Sequence, residues 1–205
     1  MPYEAPLFSR KLHIARNPDA SNGKLRMLGT GGMTKDLDGG VCCAMCLLWF
    51  KRIFQTQYKD VSWERSNAEA AKSIFLQYMM TQRSGSSLDK EMELYQNHGM
   101  KMYAGKNDDA NHKFSGNIKE SSEKAEAWIK KTPELTCFSI GVTGHAMAGF
   151  WQKGAGFFFD PNEGVFELSS INDFAVEVVD SIYQNYIANT DSKYLFLYKI
   201  EKGVQ

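Results

Sequence analysis

The sequence predicts an α+β domain with a helical first half packed on an antiparallel, strand-rich second half. Three observations carry that prediction. Apolar residues recur at helical spacing from Cys42 to Gln57 and in later runs up to Lys131. From Thr136 onwards aromatic and β-branched residues take over, interrupted by Gly-rich turns. Helices and strands are segregated along the chain, with one last amphipathic helix among the strands, which is the α+β arrangement.

Residues 1–37 carry Pro, Gly, Asn and Asp with little periodicity and read as an irregular N-terminal arm, with the folded domain at 38–205. Arg10, Lys11, Arg16, Lys24 and Arg26 make the arm mildly basic, as a solvated segment is. The first helix runs over 42–57, burying Met45, Trp49, Ile53 and either Leu48 or Phe50. A second opens at Ser66 with Glu69 in the capping-box position and continues to about Gln82. After a Ser-Gly-Ser-Ser turn a third spans Leu88 to His98, with Gly99 as its C-cap and a His98 cation offsetting the helix dipole. Residues 103–120 read as loop, preceded by a short strand at Met100–Tyr103. A helix over Ser122–Lys131 is stopped by Pro133. Strands follow within Thr136–Gln152, Gly156–Asp160, Val165–Leu168 and Tyr194–Ile200. Ser170-Ile171-Asn172-Asp173 caps the final helix, which reaches about Tyr186.

Bulk properties narrow the function. At 205 residues the chain holds one sizeable core, at most with a subdomain, and 43% hydrophobic with 13% aromatic residues marks it as globular. With 24 basic against 24 acidic residues it lacks the basic face that nucleic-acid binding needs. No run approaches the roughly 18 apolar residues of a membrane span, and the N-terminus lacks the h-region of a cleavable signal peptide. Four cysteines, three of them within five residues, do not form a disulfide framework, so a reducing compartment is expected. Neutral charge and the lack of heptads give no oligomer signal, so a monomer is expected.

The chemistry centres on Cys42. Gly31-Gly32 and Gly39-Gly40 lead up to it, and the helical pattern begins there. In a first helical turn, unpaired N–H groups and the positive end of the dipole favour thiolate, the nucleophilic form of cysteine. Four histidines are available as a base. His13 and His112 lie in polar irregular stretches and read as surface residues. His145 sits among small residues in Gly141-Val142-Thr143-Gly144-His145-Ala146-Met147-Ala148-Gly149, which leave room above the strand as a substrate channel requires. Asp160 ends an aromatic strand ahead of Pro161-Asn162-Glu163-Gly164. A turn near Lys153–Gly156 pairs the His145 and Asp160 strands as a hairpin, with the two residues about four positions out of register. Contact between them then needs a bulge or a diagonal.

These residues resemble a known family. Gly-Val-Cys-x-Ala-Met-x-x-x-Trp at 40–49, His-Ala-x-Ala at 145–148 and Phe-Phe-Asp-Pro-Asn-x-Gly-x-Phe at 158–166 are similar to the YopT/AvrPphB cysteine peptidases. The blocks occur in the family's order over residues 38–168. The resemblance implies a papain-like fold without cofactor or metal, in which Cys42 is the nucleophile, His145 the general base and Asp160 the orienting acid. It implies a bacterial effector passed by a secretion system into the host-cell cytoplasm. There it would cleave a host protein such as a small GTPase or kinase, with autoprocessing aimed at the arm before residue 30. Similarity of Cys42-Cys43-Ala44-Met45-Cys46 to the Cys-x-Ala-Phe-Ser run of papain-type enzymes favours Cys42 over Cys43. Two positions depart from the pattern: Cys46 stands where a serine is common, and Asp36 where papain-type enzymes carry an oxyanion-binding glutamine.

Rival readings remain at this level. Cys43-Ala44-Met45-Cys46 is also a C-x-x-C, but neither the strand of a thioredoxin-type motif nor a second zinc-ligand pair accompanies it. The same triad serves a glutamine deamidase, a transglutaminase or another acyltransferase, and a non-catalytic binding module would retain the scaffold alone. Met79, Met80, Met92, Met100 and Met102, with Phe75 and Tyr78, read as helix core rather than a groove.

Overall fold

The computed structural model describes residues 12–16, 40–63, 70–71, 73–76, 87–103, 111–113, 118–142, 144–162, 164–168, 170–188 and 194–203. In chain order these form β1 (Leu12–Arg16), α1 (Gly40–Gln55), α2 (Ser87–Asn97), β2 (Met100–Tyr103), β3 (Asn111–Lys113) and α3 (Ile118–Lys130). Then follow β4 (Thr136–Val142), β5 (His145–Gln152), β6 (Ala155–Asp160), β7 (Gly164–Leu168), α4 (Ile171–Ile182), a π-turn at Tyr183–Ile187 and β8 (Tyr194–Lys202). Residues 70–71 and 73–76 are helical, inside the helix expected over 66–82. Its capping residues Ser66 and Glu69, the turn at 84–86, and Tyr78, Met79 and Met80 lie outside the described residues.

The sheet has eight strands in the order β1-β7-β6-β5-β4-β8-β2, with β3 also paired to β8, and every pairing is antiparallel. Strand parity divides its side chains between two cores. On one face Ala146, Ala148, Phe150, Phe157, Phe159 and Tyr198 pack with α1. On the other, Phe138, Met147, Phe158, Phe166 and Leu197 pack with α3 and α4. The segregated α+β architecture expected from the sequence is the one observed.

Helix α1 is sealed on more than one side. Cys43, Ala44, Met45, Cys46, Leu47, Trp49, Phe50, Ile53 and Phe54 are all buried, and of the two alternatives Phe50 is in the core while Leu48 is partly exposed. Such a helix cannot rotate to present another residue, so its first turn is fixed in place. Trp49 donates from Nε1 to the Val61 carbonyl at 2.7 Å. Phe159 packs against both Trp49 (centroids 5.5 Å) and Trp63 (4.9 Å), which locks the end of β6 to α1.

Four expectations change. The arm is not wholly irregular, because Leu12–Arg16 pairs with β7, and Asn111–Lys113, read as loop, pairs with β8. Both are short edge additions whose partners lie far along the chain, so no local alternation marks them. His98 follows α2 as expected, with Gly99 at φ 73 as the cap. Burial and the Lys51 charge, however, push its pKa down, which works against a cation at the helix end. Finally, the small residues that follow His145 serve packing instead of leaving room above the strand. Ala146 and Ala148 belong to the α1 core, and a Cβ on Gly149 would lie 2.3 Å from the Phe138 ring.

Met100 and Met102 are buried in the core from strand β2 rather than from a helix, Phe75 is buried there from its helix, and Met92 packs against it. Among the described residues no helix is long and apolar enough to cross a membrane.

Candidate active site

Three elements converge at one end of the sheet. Cys42 is the third residue of α1, so its N–H lies ahead of the first intrahelical bond at the positive end of the helix. His145 opens β5. Gly144, at φ 76, takes the left-handed position of the turn that closes the Val142–His145 pair, a conformation that strains any side chain. Asp160 closes β6 and pairs with Gly164.

The β5–β6 hairpin turns on Lys153 and Gly154, both left-handed (φ 46 and 78), as a two-residue type I′ turn requires. Its register runs regularly from Gln152–Ala155 to Ala148–Phe159. One step further places Asp160 opposite Met147, two positions from His145 and on the same face. The offset is therefore two rather than the expected four, because the turn is centred earlier. The contact is diagonal, and the described pairs contain no bulge. Diagonal neighbours are within reach of long side chains.

The resulting contacts form a chain. His145 Nδ1 lies 3.2 Å from Cys42 Sγ, and His145 Nε2 lies 2.9 Å from Asp160 Oδ1. The Asn162 backbone N–H donates to Asp160 Oδ1 at 2.8 Å, and the Tyr186 hydroxyl donates to Asp160 Oδ2 at 2.6 Å. Asn162 Nδ2 in turn donates to the Tyr186 oxygen at 3.3 Å. It also lies 3.5 Å from His145 Nε2, but both are donors when Nε2–H points at Asp160, so that approach is not a hydrogen bond. His145 and Asp160 are buried, at 7% and 3% exposure, while Cys42 stays partly accessible.

Electrostatics favour an ionised pair. Burial alone pulls the His145 pKa down, but the Asp160 charge, the Cys42 sulfur and the hydrogen bonds to both lift it to about 10. Burial alone raises Asp160. The imidazolium charge and the hydrogen bonds from His145, Tyr186 and Asn162 outweigh it and hold the carboxyl below its ordinary value. The neighbouring thiols behave differently. Burial, then the Glu91 carboxyl, raises Cys43 well above an ordinary thiol, and burial, then the neighbouring Cys42 sulfur and Asp160 carboxylate, does the same to Cys46. Both members of the C-x-x-C are thus core residues kept as thiols. Among the described residues no group of three or more His, Cys, Asp or Glu is arranged to hold a metal ion.

All three residues singled out in the sequence therefore meet. Two others were not: Asn162, which lay inside the Pro-Asn-Glu-Gly turn, and Tyr186. Asp36, the position of the papain-type glutamine, and the side chains of His13 and His112 lie outside the described residues.

No family model matches the sequence, and no curated protein matches it. Among solved structures, the Pseudomonas avirulence protein AvrPphB superposes with a TM-score of 0.61 at 12% identity, over 95% of this chain and 99% of that one. The chain has the papain-like fold of AvrPphB. PatoxP, a cysteine protease-like domain of the Photorhabdus asymbiotica toxin PaTox, aligns at 14% identity and a TM-score of 0.47, over 95% of this chain and 55% of that chain. At such identity the AvrPphB likeness speaks for the backbone, and the chemistry rests on the side chains above.

Proposed function

We propose that this protein is a papain-like cysteine peptidase in which Cys42, His145 and Asp160 act as a triad. The observation that carries the reading is the unbroken sequence of contacts from Sγ to imidazole to carboxylate, made by residues 103 and 15 positions apart in sequence. Cys42 Sγ, as thiolate, attacks a substrate carbonyl, and His145 Nδ1 then gives its proton to the leaving amine. Asp160 fixes the ring so that Nδ1 faces the sulfur, and stabilises the cation. The Cys42 N–H, in the first turn of α1 ahead of the first intrahelical bond, donates to the oxyanion that forms. Water then attacks the acyl-enzyme with His145 as base.

The substrate is a protein of a host cell, a small GTPase or a kinase being the candidates, and the enzyme is an effector delivered there by a bacterial secretion system. Sharing its fold with an avirulence protein supports this part of the reading. Incubating purified wild-type and Cys42→Ala protein with candidate targets, and recording intact masses, tests it. Fragments formed by wild type alone are expected. An uncleaved target bearing a small gain at glutamine would replace hydrolysis of the chain by deamidation or acyl transfer.

A further inference from the structure

Tyr186 lies 26 residues beyond Asp160 in sequence, yet it touches both buried members of the proposed triad. Its hydroxyl donates to Asp160 Oδ2 at 2.6 Å, and its ring stacks on the His145 ring with centroids 4.7 Å apart and planes 24° from parallel.

The local backbone explains how it gets there. Helix α4 buries Phe174, Ala175, Val178, Val179 and Ile182 on one stripe. In a continuing α-helix, residue 186 would fall next on that stripe, four positions after Ile182. Instead the chain widens into a π-turn over Tyr183–Ile187, closed by the Ala188 N–H on the Tyr183 carbonyl at 2.8 Å. The extra residue lets Ile187 take the fully enclosed position, while Tyr186 stays half-buried at the edge of the same core, with its ring on His145. Single π-turns interrupting a helix often mark functional positions.

We propose that Tyr186 is a positioning residue of this site, filling the outer oxygen of Asp160 and roofing His145 so that the imidazole stays aimed at Cys42. The proposal rests on the hydrolase reading above. Three donors then hold Asp160, His145 and the Asn162 N–H on Oδ1 and Tyr186 on Oδ2, which resists rotation of its carboxylate away from the ring. Stacking holds the ring flat and keeps water from its face, where exclusion of water strengthens the attraction between His145 and Asp160. Among the described residues, the titratable groups that act on this pair are Tyr186, together with Cys42 and Cys46 of α1.

The test is the alkylation rate of Cys42 by iodoacetamide against pH, site-resolved by mass, in the full chain and with the thermal midpoint as a check of folding. Tyr186→Phe removes one donor to Asp160, so the acid limb of the profile should move up by on the order of one pH unit. The alkaline limb, set by the stacked imidazolium, should stay near its wild-type place. Tyr186→Leu removes the ring as well and should also pull the alkaline limb down. Fluorotyrosine at position 186, a more acidic and stronger donor, should move the acid limb the other way, a response that mere space-filling would not give. Profiles superposing on wild type in the folded Phe and fluorotyrosine proteins would overturn the proposal while leaving the triad intact. Wild type with no selective Cys42 labelling, matched by His145→Ala, would remove the hydrolase reading and this proposal with it.

Discussion

Two carboxylates sit against the first turns of α1, and they are opposites. Asp160 faces an imidazolium and accepts from His145 Nε2, the Asn162 N–H and the Tyr186 hydroxyl, and its pKa is held down. Glu91, on α2, faces Cys43 and accepts from the Ser139 hydroxyl at a long 3.5 Å, and desolvation leaves its pKa raised. Desolvation raises both, Asp160 being buried and Glu91 half-buried. What separates them is the supply of a cation and short donors, since a buried carboxylate stays ionised only if its partners repay desolvation. The same contrast runs through the cysteines: Cys42 adjoins the charged pair and is partly accessible, whereas Cys43 adjoins the carboxyl with raised pKa and is sealed. Adjacency to an acid therefore does not define this site.

The largest effect expected from that contrast comes from removing the sulfur itself. Cys42→Ala should lower kcat/KM on a cleaved protein by at least about 10⁴-fold, with the thermal midpoint little changed because the residue is not part of the sealed stripe. Asp160→Asn should follow, with kcat down on the order of a hundredfold or more. It should also bring the His145 pKa below about 10, because the charge that lifts it is gone. Imidazole NMR titration measures that directly.

The pair also sets a pH dependence of stability. His145, raised to about 10 from 6.5, contributes stability that is complete below pH 6.5 and is lost as pH rises through about 10. Asp160, lowered from 3.8, contributes above pH 3.8 and loses that contribution as pH falls through its folded value. Thermal midpoints should therefore fall between pH 6.5 and 10 in wild type, and fall less in Asp160→Asn. The smallest effect belongs to the other acid. Glu91→Gln should leave kcat/KM unchanged and stability within about 1 kcal/mol near neutral pH. A loss of activity like that of Asp160→Asn would erase the distinction between the two carboxylates.

Much of this was legible in the sequence wherever local chemistry is decisive. The glycine approach and apolar period announced α1 and its cysteine, and Met100–Tyr103 was read at the bounds it takes. Ser170 caps α4 by accepting from the Asp173 N–H, as its spacing suggested. What escaped depends on distant partners. The strand at Leu12–Arg16 exists by pairing with β7. The hairpin offset depended on which two residues turn, and Lys153, not a glycine, takes a left-handed position there. Tyr186 carries no motif at all, for in sequence it is one more aromatic near the end of an amphipathic helix. Its contacts with His145 and Asp160 appear only in the folded chain, where the π-turn carries it.

The most direct measurement of the central claim is native-state labelling with iodoacetamide at about pH 6, where unactivated thiols react slowly. Wild type should be modified at Cys42 and spared at Cys43, Cys46 and Cys137, and the preference should vanish in His145→Ala. Equal modification of Cys42, Cys43 and Cys46, or Cys42 labelling indifferent to the loss of His145, would contradict it.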